Sequence, residues 1–188
     1  MSEQVAHSEV RRLTADDAQA FSDLRREVTA DNPVPMGLSF DEELTRTLDG
    51  FKSQLSLPLP NAMFGGFVAG ELAATAAVSR VGQFASSHHK MSMWGVFTSP
   101  RYRRRGLSQK VVQSALLHAF DIGARRVNLQ VYVPNEPALS LYRKLGFKEY
   151  GVEAEAVCLG GGYYDGIYMT LENDGHNISL WRTPFDVR

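Results

Sequence analysis

A basic segment with one glycine lies between a predicted strand and a predicted helix. Residues 101–108 read RYRRRGLS, after a strand expected over Met91–Thr98 and before a helix expected over Ser108–Ile122. Arginines are disfavoured at a helix N-terminus, which already carries partial positive charge, unless an anion binds the free N–H groups there. Gly106 leaves room for close approach of such an anion. The segment therefore favours a phosphate site, although a solvated basic loop explains the arginines equally well.

A second segment favours the phosphate site over the solvated loop. Residues 135–147 read NEPALSLYRKLGF and follow the next predicted strand, Val127–Val133. The first segment is neither a P-loop, because no Gly-Lys-Ser/Thr follows, nor a dinucleotide site, because G-x-G-x-x-G is absent. Together the two segments resemble the GNAT superfamily of acetyl-CoA-dependent N-acetyltransferases.

The resemblance depends on two motifs at the right separation. The acetyl-CoA motif of the family, Arg/Gln-x-x-Gly-x-Gly/Ala, is matched at Arg103 and Gly106, whereas Ser108 stands where glycine or alanine is usual. The downstream motif, Asn-x-x-Ala-x-x-Leu-Tyr-x-x-x-Gly-Phe, is complete across residues 135–147. The strong resemblance covers residues 94–147, and a weaker match in the order of elements runs from about residue 10 to residue 172.

The resemblance implies that acetyl-CoA is the co-substrate and that no metal is needed. It places the pyrophosphate on the backbone N–H groups of residues 103–108 and the pantetheine arm along the end of the fourth strand. The cofactor-binding residues implied are Phe97, Thr98, Arg103, Arg104, Arg105, Gly106, Leu107, Ser108, Asn135 and Tyr142. A backbone N–H near Phe97 would also stabilise the oxyanion that forms during acyl transfer.

Tyr142 occupies the family's position for the acid that protonates the departing thiolate. A phenol with an ordinary pKa of about 10 is a plausible donor to a thiolate whose acid has a pKa of about 8.5. The spacing of Tyr142 with Ala138 and Leu145 also suits a buried core aromatic, and the surrounding motif favours the catalytic interpretation.

The base that removes the proton from the incoming amine is less certain from the sequence. Many family members carry a carboxylate on the fourth strand, and Met91–Thr98 has none. Asp165, beside Tyr163 and Tyr164 in the last predicted hairpin, is the first candidate. Further candidates are Glu71, His88, His89 and Tyr164, and an amine of low pKa needs no base. The Asn32–Ser39 loop and residues 160–165 are expected to shape the acceptor cleft.

The order of predicted elements is typical of a mixed α/β (α+β) domain with one central sheet. The resemblance implies the GNAT fold, a mixed and largely antiparallel sheet flanked by helices on both faces. Residues 10–172 form the expected domain, between a polar tail at residues 1–9 and a second tail at residues 173–188 that carries Trp181 and Phe185. A single helix is predicted after a capping box at Ser39 and Glu42.

The composition excludes several classes of protein. The chain has 188 residues and a formal net charge of −1, so its overall charge does not attract it to nucleic acid. It has a single cysteine, so no disulfide can form within the chain. No apolar run is long enough to cross a membrane, and a cytoplasmic location is expected. An amine acceptor is the expected partner, and a homodimer stays open. The alternative function is an acyl-CoA sensor with this fold that lacks transfer activity.

Overall fold

The computed structural model describes residues 8–175 and residue 181. Within this part of the chain, the strands are β1 (Ser8–Arg12), β2 (Ala62–Val68), β3 (Glu71–Arg80), β4 (Lys90–Thr98), β5 (Arg126–Tyr132), β6 (Lys148–Leu159) and β7 (Gly162–Glu172). The α-helices are α1 (Ala18–Asp31), α2 (Phe40–Leu44), α3 (Leu48–Leu55), α4 (Leu107–Asp121) and α5 (Glu136–Lys144).

The strands form one sheet in the order β1-β2-β3-β4-β5-β7-β6. Neighbours are antiparallel except β4 and β5, which run parallel. This confirms the predicted mixed, largely antiparallel sheet. Strands β4 and β5 can run parallel because α4 carries the chain from the end of β4 back to the end of the sheet where β5 starts.

Each face of the sheet is covered by helices. One face packs against α4 and α5 through a core that includes Val112, Leu116 and Leu139. The other face packs against α1 and α3 through Phe21, Phe51 and their neighbours. The central strand β3 contributes to both cores because its side chains alternate between the two faces.

The prediction of a single helix after Ser39 is wrong, because two short helices form there. The capping box is present, since the Glu42 N–H donates to Ser39 Oγ at 3.2 Å and the Ser39 N–H donates to Glu42 Oε2 at 2.7 Å. The helix ends at Leu44, however, and Thr47 starts a new one by accepting the Gly50 N–H at 3.1 Å. The break leaves Leu44 and Leu48 exposed rather than on a buried stripe.

The last hairpin is longer than predicted. The sequence predicts a strand over Ala154–Leu159, whereas β6 begins six residues earlier, at Lys148. Most of β6 is exposed on both faces, with Tyr150 and Val152 at the surface. The apolar residues Tyr150, Val152 and Ala154 occur at every second position, so the alternation that identifies a strand is present in this segment and the predicted start was too late.

The ends of the chain are partly described. Strand β1 begins at Ser8, two residues before the predicted domain boundary, and residues 1–7 lie outside the described residues. Trp181 packs against the core under α4 and α5, whereas Phe185 lies outside the described residues. Among the residues described, the helices are too short or too polar to cross a membrane.

The turn that leads into α1 is stabilised by a carboxylate. Asp17 accepts hydrogen bonds from the Arg11 guanidinium at 2.6 and 2.8 Å and from the Thr14 N–H at 2.9 Å. The bond from Arg11 holds the pKa of Asp17 below its ordinary value, and the backbone N–H acts in the same direction. The stabilisation is therefore present above the ordinary Asp pKa of about 4 and is lost as the pH falls below it.

We expect Asp17→Asn to lower the free energy of unfolding by about 1 kcal/mol at pH 7, as the loss of a capping carboxylate does. Urea denaturation of both proteins measures the difference, which should fall as the pH is lowered below about 4 and vanish once Asp17 is protonated in the folded protein. The control is Asp16→Asn, because Asp16 is exposed one residue away. Equal losses for the two variants, or a loss that does not fall as the pH is lowered, would contradict this assignment.

Candidate acetyl-transfer site

The two parallel strands at the centre of the sheet separate before they end. Their pairing joins Lys90–Ser92 to Arg126–Asn128. Beyond those residues, β4 runs on to Thr98 and β5 to Tyr132, and the two strands do not pair with each other again in the described structure. The edge of β4 from Met93 onward therefore has backbone N–H and C=O groups that can pair with a ligand.

A bulge in β4 accompanies the separation. The register of β3 and β4 shifts between Thr75 and Ala77, and Gly95 takes a left-handed conformation at φ 61°. The buried Thr75 hydroxyl donates to the Gly95 carbonyl oxygen at 2.7 Å and fixes the bulge. A bulge bends its strand and increases its twist, so it directs the end of β4 away from β5.

A cavity of about 720 Å³ opens where the strands part. Its wall combines the end of β4, the loop before α4, the start of α5 and residues after α1. The residues of the implied cofactor site that line it are Phe97, Thr98, Arg103, Arg104, Gly106, Ser108, Asn135 and Tyr142. The structure thus brings together eight of the ten residues implied by the sequence motifs.

The N-terminus of α4 has the free donors that the sequence predicts. Gly106 is its N-cap, at φ 75°, with no side-chain cap and no acidic residue in the first turn. An added Cβ at Gly106 would meet nothing within 4 Å, so the glycine is needed for its backbone conformation rather than for space. Arg104 is also left-handed, at φ 61°, which confirms that this loop turns sharply.

The arginines before α4 have different partners. Arg103 donates to Asp31 Oδ2 at 2.7 Å and to the Thr98 carbonyl at 3.3 Å, which ties the loop to the end of α1. Arg101 pairs with Glu27 and Glu71. Arg104 faces the larger cavity, and no described residue makes a hydrogen bond with its guanidinium.

Two of the implied cofactor residues lie outside the cavity wall. The Arg105 guanidinium lies over the Tyr102 ring, 5.6 Å from its centroid. The Leu107 side chain is buried in the core, where a Cβ on Gly66 would come within 2.8 Å of it. Leu107 therefore offers a ligand its backbone N–H alone, and Arg105 offers charge at the rim.

The serine that departs from the family motif has a structural partner. Ser108 Oγ and Thr98 Oγ1 lie 2.6 Å apart and share a hydrogen bond between the end of β4 and the first turn of α4. Asn135 likewise has a structural role, because its side chain accepts the Ala138 N–H at 3.4 Å. Both residues also line the larger cavity.

Tyr142 lies at the junction of this cavity with a second one. The second cavity, of about 410 Å³, extends between β4 and β5 towards α2 and α3, and Tyr142 lines both. The side chain is 5% exposed and packs edge-on against Phe147. Burial raises the pKa of Tyr142, so the phenol is neutral at physiological pH. No described residue makes a hydrogen bond with its hydroxyl, which is thus available to a ligand.

Asp165, the first candidate for the base, lies elsewhere. Its side chain is exposed, its Oδ1 accepts the Glu155 N–H at 2.9 Å, and neither cavity includes it. The carboxylate instead satisfies a backbone group beside a register shift in the β6–β7 hairpin. Residues 160–165, also expected to shape the acceptor cleft, line neither cavity, whereas Pro35, Met36 and Leu38 of the other expected loop line the second one.

Sequence reasoning missed a charged group beside the second cavity. Arg25 of α1 and Glu43 of α2 form a buried pair, with nitrogen–oxygen distances of 2.6 and 2.8 Å. Arg46 lies beside them and also lines the cavity. The signal was weak, because Arg25 is followed by Arg26 on a largely polar helix and Arg46 lies in the short turn between α2 and α3, where arginines are usually exposed.

Comparison with known proteins gives the same result as the geometry. Residues 22–147 match the profile of the acetyltransferase (GNAT) family. The structure resembles an acetyltransferase of the GNAT family from Streptococcus pneumoniae, with a TM-score of 0.80 at 20% identity over 88% of this chain and 99% of that one. It also resembles a Salmonella typhimurium structure that contains its cofactor acetyl-CoA, with a TM-score of 0.72 at 17% identity over 90% and 95% of the chains.

A curated relative matches over a shorter stretch. A prophage-derived uncharacterized N-acetyltransferase of Bacillus subtilis is 34% identical over 79 residues, which are 42% of this chain and 45% of that protein. The match thus spans less than half of that relative's length. The profile match covers most of the chain, and it agrees with the sheet order and the cavity at the divergent strands. The chain belongs to the GNAT acetyltransferase family.

Proposed function

We propose that the protein transfers an acetyl group from acetyl-CoA directly to a primary amine of a small molecule or peptide. One observation carries the proposal. The free edge of β4 and the uncapped N-terminus of α4 open into the same cavity, and Tyr142 joins that cavity to a second one. This arrangement has separate places for a phosphate group, an extended arm and an acceptor.

The residues present fit the pyrophosphate of acetyl-CoA. The first turn of α4 presents backbone N–H groups without a side-chain cap, and such groups bind phosphate oxygens. Arg104 and Lys144 add positive charge on the same wall. The bond from Lys144 Nζ to Gln109 Oε1, at 3.0 Å, holds that ammonium over the helix.

The free edge of β4 fits the pantetheine arm and the thioester. An extended amide-bearing arm pairs with an open strand edge as another strand would. Acetyl-CoA supplies an activated acetyl group when bound there. A backbone N–H near Phe97, directed at the carbonyl oxygen, stabilises the negative charge that develops on it.

Transfer forms one carbon–nitrogen bond and breaks one carbon–sulfur bond. The neutral amine attacks from the second cavity, where the walls hold it close to the thioester carbon. Tyr142 donates its phenolic proton to the departing thiolate, and the proton that the attacking nitrogen loses as the amide forms passes through water back to the Tyr142 phenolate. Because burial raises the pKa of Tyr142, the proton is present at neutral pH, although the phenol is a weaker acid than a free tyrosine.

The proton of the incoming ammonium leaves to water. The described lining of the second cavity contains neither a carboxylate nor a histidine, but Ser92 and Gln130 are polar and reach it. These groups can order a water molecule that carries the proton away. In this proposal no protein side chain acts directly as the base.

We expect Gly106→Ala to weaken acetyl-CoA binding by roughly tenfold, because alanine resists the left-handed conformation that aims the N–H groups of α4. The matched control is Gly123→Ala at the other end of α4, also left-handed and with nothing within 4 Å of an added Cβ. Both variants should lose about 1 kcal/mol of stability. Calorimetry with acetyl-CoA separates them, and equal affinities for the two variants would contradict a phosphate site here.

We expect Tyr142→Phe to lower kcat by about 100-fold, the lower end of the effect of a general acid, without weakening acetyl-CoA binding. The assay is release of free CoA across a panel of amines. The control is Tyr168→Phe, since Tyr168 lies on β7 and bonds to Glu153. Unchanged kcat would contradict the acid role. Acetyl-CoA binding without turnover of any amine by the wild type would favour the sensor alternative.

A further inference from the structure

The second cavity has an unbalanced charge. Arg25 and Arg46 contribute to its wall, whereas the described residues that line it include no aspartate or glutamate. The carboxylate that contacts these arginines is that of Glu43, which is fully buried behind the wall. Two cations and one anion leave one net positive charge at this part of the cavity, whereas the Glu153 carboxylate lies against Gln130, whose Nε2 donates to it at 3.0 Å.

Both carboxylate oxygens of Glu43 accept hydrogen bonds from Arg25. Arg25 Nε donates to Glu43 Oε1 at 2.8 Å and Nη2 donates to Oε2 at 2.6 Å, which is a bidentate pair. Arg46 Nη1 lies 3.9 Å from Glu43 Oε2, which is beyond hydrogen-bond distance. One carboxylate is therefore shared by two guanidiniums, and Arg46, which is ion-paired but not hydrogen-bonded to it, is the less compensated of the two.

Arg46 is held in place without being fully neutralised. Its Nη2 donates to Gln54 Oε1 at 2.7 Å, and its guanidinium lies over the Phe51 ring at 4.7 Å from the centroid. The side chain is 33% exposed. Burial lowers the pKa of Arg46, as does Arg25, and Glu43 opposes the change. A guanidinium held by an amide and an aromatic ring keeps further N–H donors in the fixed geometry that suits a carboxylate or a phosphate.

From these contacts we infer that the acceptor carries an anionic group, a carboxylate or a phosphate, that pairs with Arg46. This inference depends on the proposed function, since it names the class of amine that the same site acetylates. The anion binds beside α2 and α3, and the amine lies towards Tyr142, which also lines the cavity.

The rest of the wall and the cavity volume limit the acceptor. Apolar and polar groups share the wall in similar measure, with Met36, Leu38, Trp94, Leu129 and Val131 beside Gln54, Ser92 and Gln130. A volume of about 410 Å³ suits a small molecule. The acceptor class is thus a small amine with one acidic group, as in an amino acid. A polyamine is disfavoured, because it brings further positive charge to Arg46.

Two variants test the charge of Arg46 in different ways. Arg46→Gln removes the cation, whereas Gln54→Glu keeps Arg46 and neutralises it through the existing contact. The matched control is Arg126→Gln, which removes an exposed arginine paired with Glu172 outside both cavities. Circular dichroism and thermal unfolding establish that each variant is folded.

The probes are L-leucine and L-phenylalanine, their amides, 2-aminoethyl phosphate and spermidine. Calorimetry of each probe with the full chain measures binding independently of transfer, and CoA release measures kcat/KM. We expect the wild type to prefer the acids over their amides, and the two site variants to lose roughly 10- to 100-fold in affinity and kcat/KM for the acids. The amides should change little, and Arg126→Gln should match the wild type. Comparing 2-aminoethyl phosphate with the amino acids distinguishes phosphate from carboxylate.

Outcomes for binding and turnover separate the two claims. If the acids bind through Arg46 but no probe is acetylated, the anion site stands and the proposed transfer fails. If amides or spermidine are acetylated as well as the acids, and Arg46→Gln changes nothing, the transferase stands and the anion site is overturned. If no acid binds more tightly to the wild type than to Arg46→Gln, the inference is likewise overturned.

Discussion

The separation of β4 from β5 is the constraint on which the rest of the site depends. Parallel neighbours normally pair along their length and bury each other's edges, but here pairing stops after Ser92. The bulge at Gly95, fixed by the Thr75 hydroxyl, bends β4 away. The opening exposes a strand edge in the middle of a sheet, places the N-terminus of α4 at one end of the gap and leaves the second cavity at the other.

Local charge, rather than net charge, distinguishes the two cavities. The chain is close to neutral overall, yet each cavity has positive groups that neighbouring carboxylates do not fully compensate. At the larger cavity the first turn of α4 has no acidic residue and Arg104 faces the space. At the smaller cavity the Glu43 carboxylate is hydrogen-bonded to Arg25, so the positive charge of Arg46 is only partly compensated. Both sites are therefore prepared for anions, one for the co-substrate and one for the acceptor.

The parts that could be predicted from sequence are those with local causes. The Gly106 turn, the Asn135 cap and the paired motifs are encoded within short segments, and the structure brings them together as expected. The break after Leu44 was missed because Thr47 acts as a cap without interrupting the apolar spacing. The placement of Asp165 outside both cavities, with its carboxylate on the Glu155 N–H, depends on hairpin register, which the local sequence does not encode. The role of Arg46 depends on two short helices meeting the sheet, which no local pattern encodes.

Hydrogen exchange with and without acetyl-CoA tests the central claim most directly. Exchange of backbone amides reports local opening and protection by a ligand, residue by residue. We expect acetyl-CoA to slow the exchange of backbone amides at the end of β4, residues 96–98, and in the turn at the start of α4, residues 104–108. Exchange in the β6–β7 hairpin should stay unchanged. Unaltered exchange in both predicted segments at saturating acetyl-CoA would contradict the assignment of the divergent strands as the acetyl-CoA site.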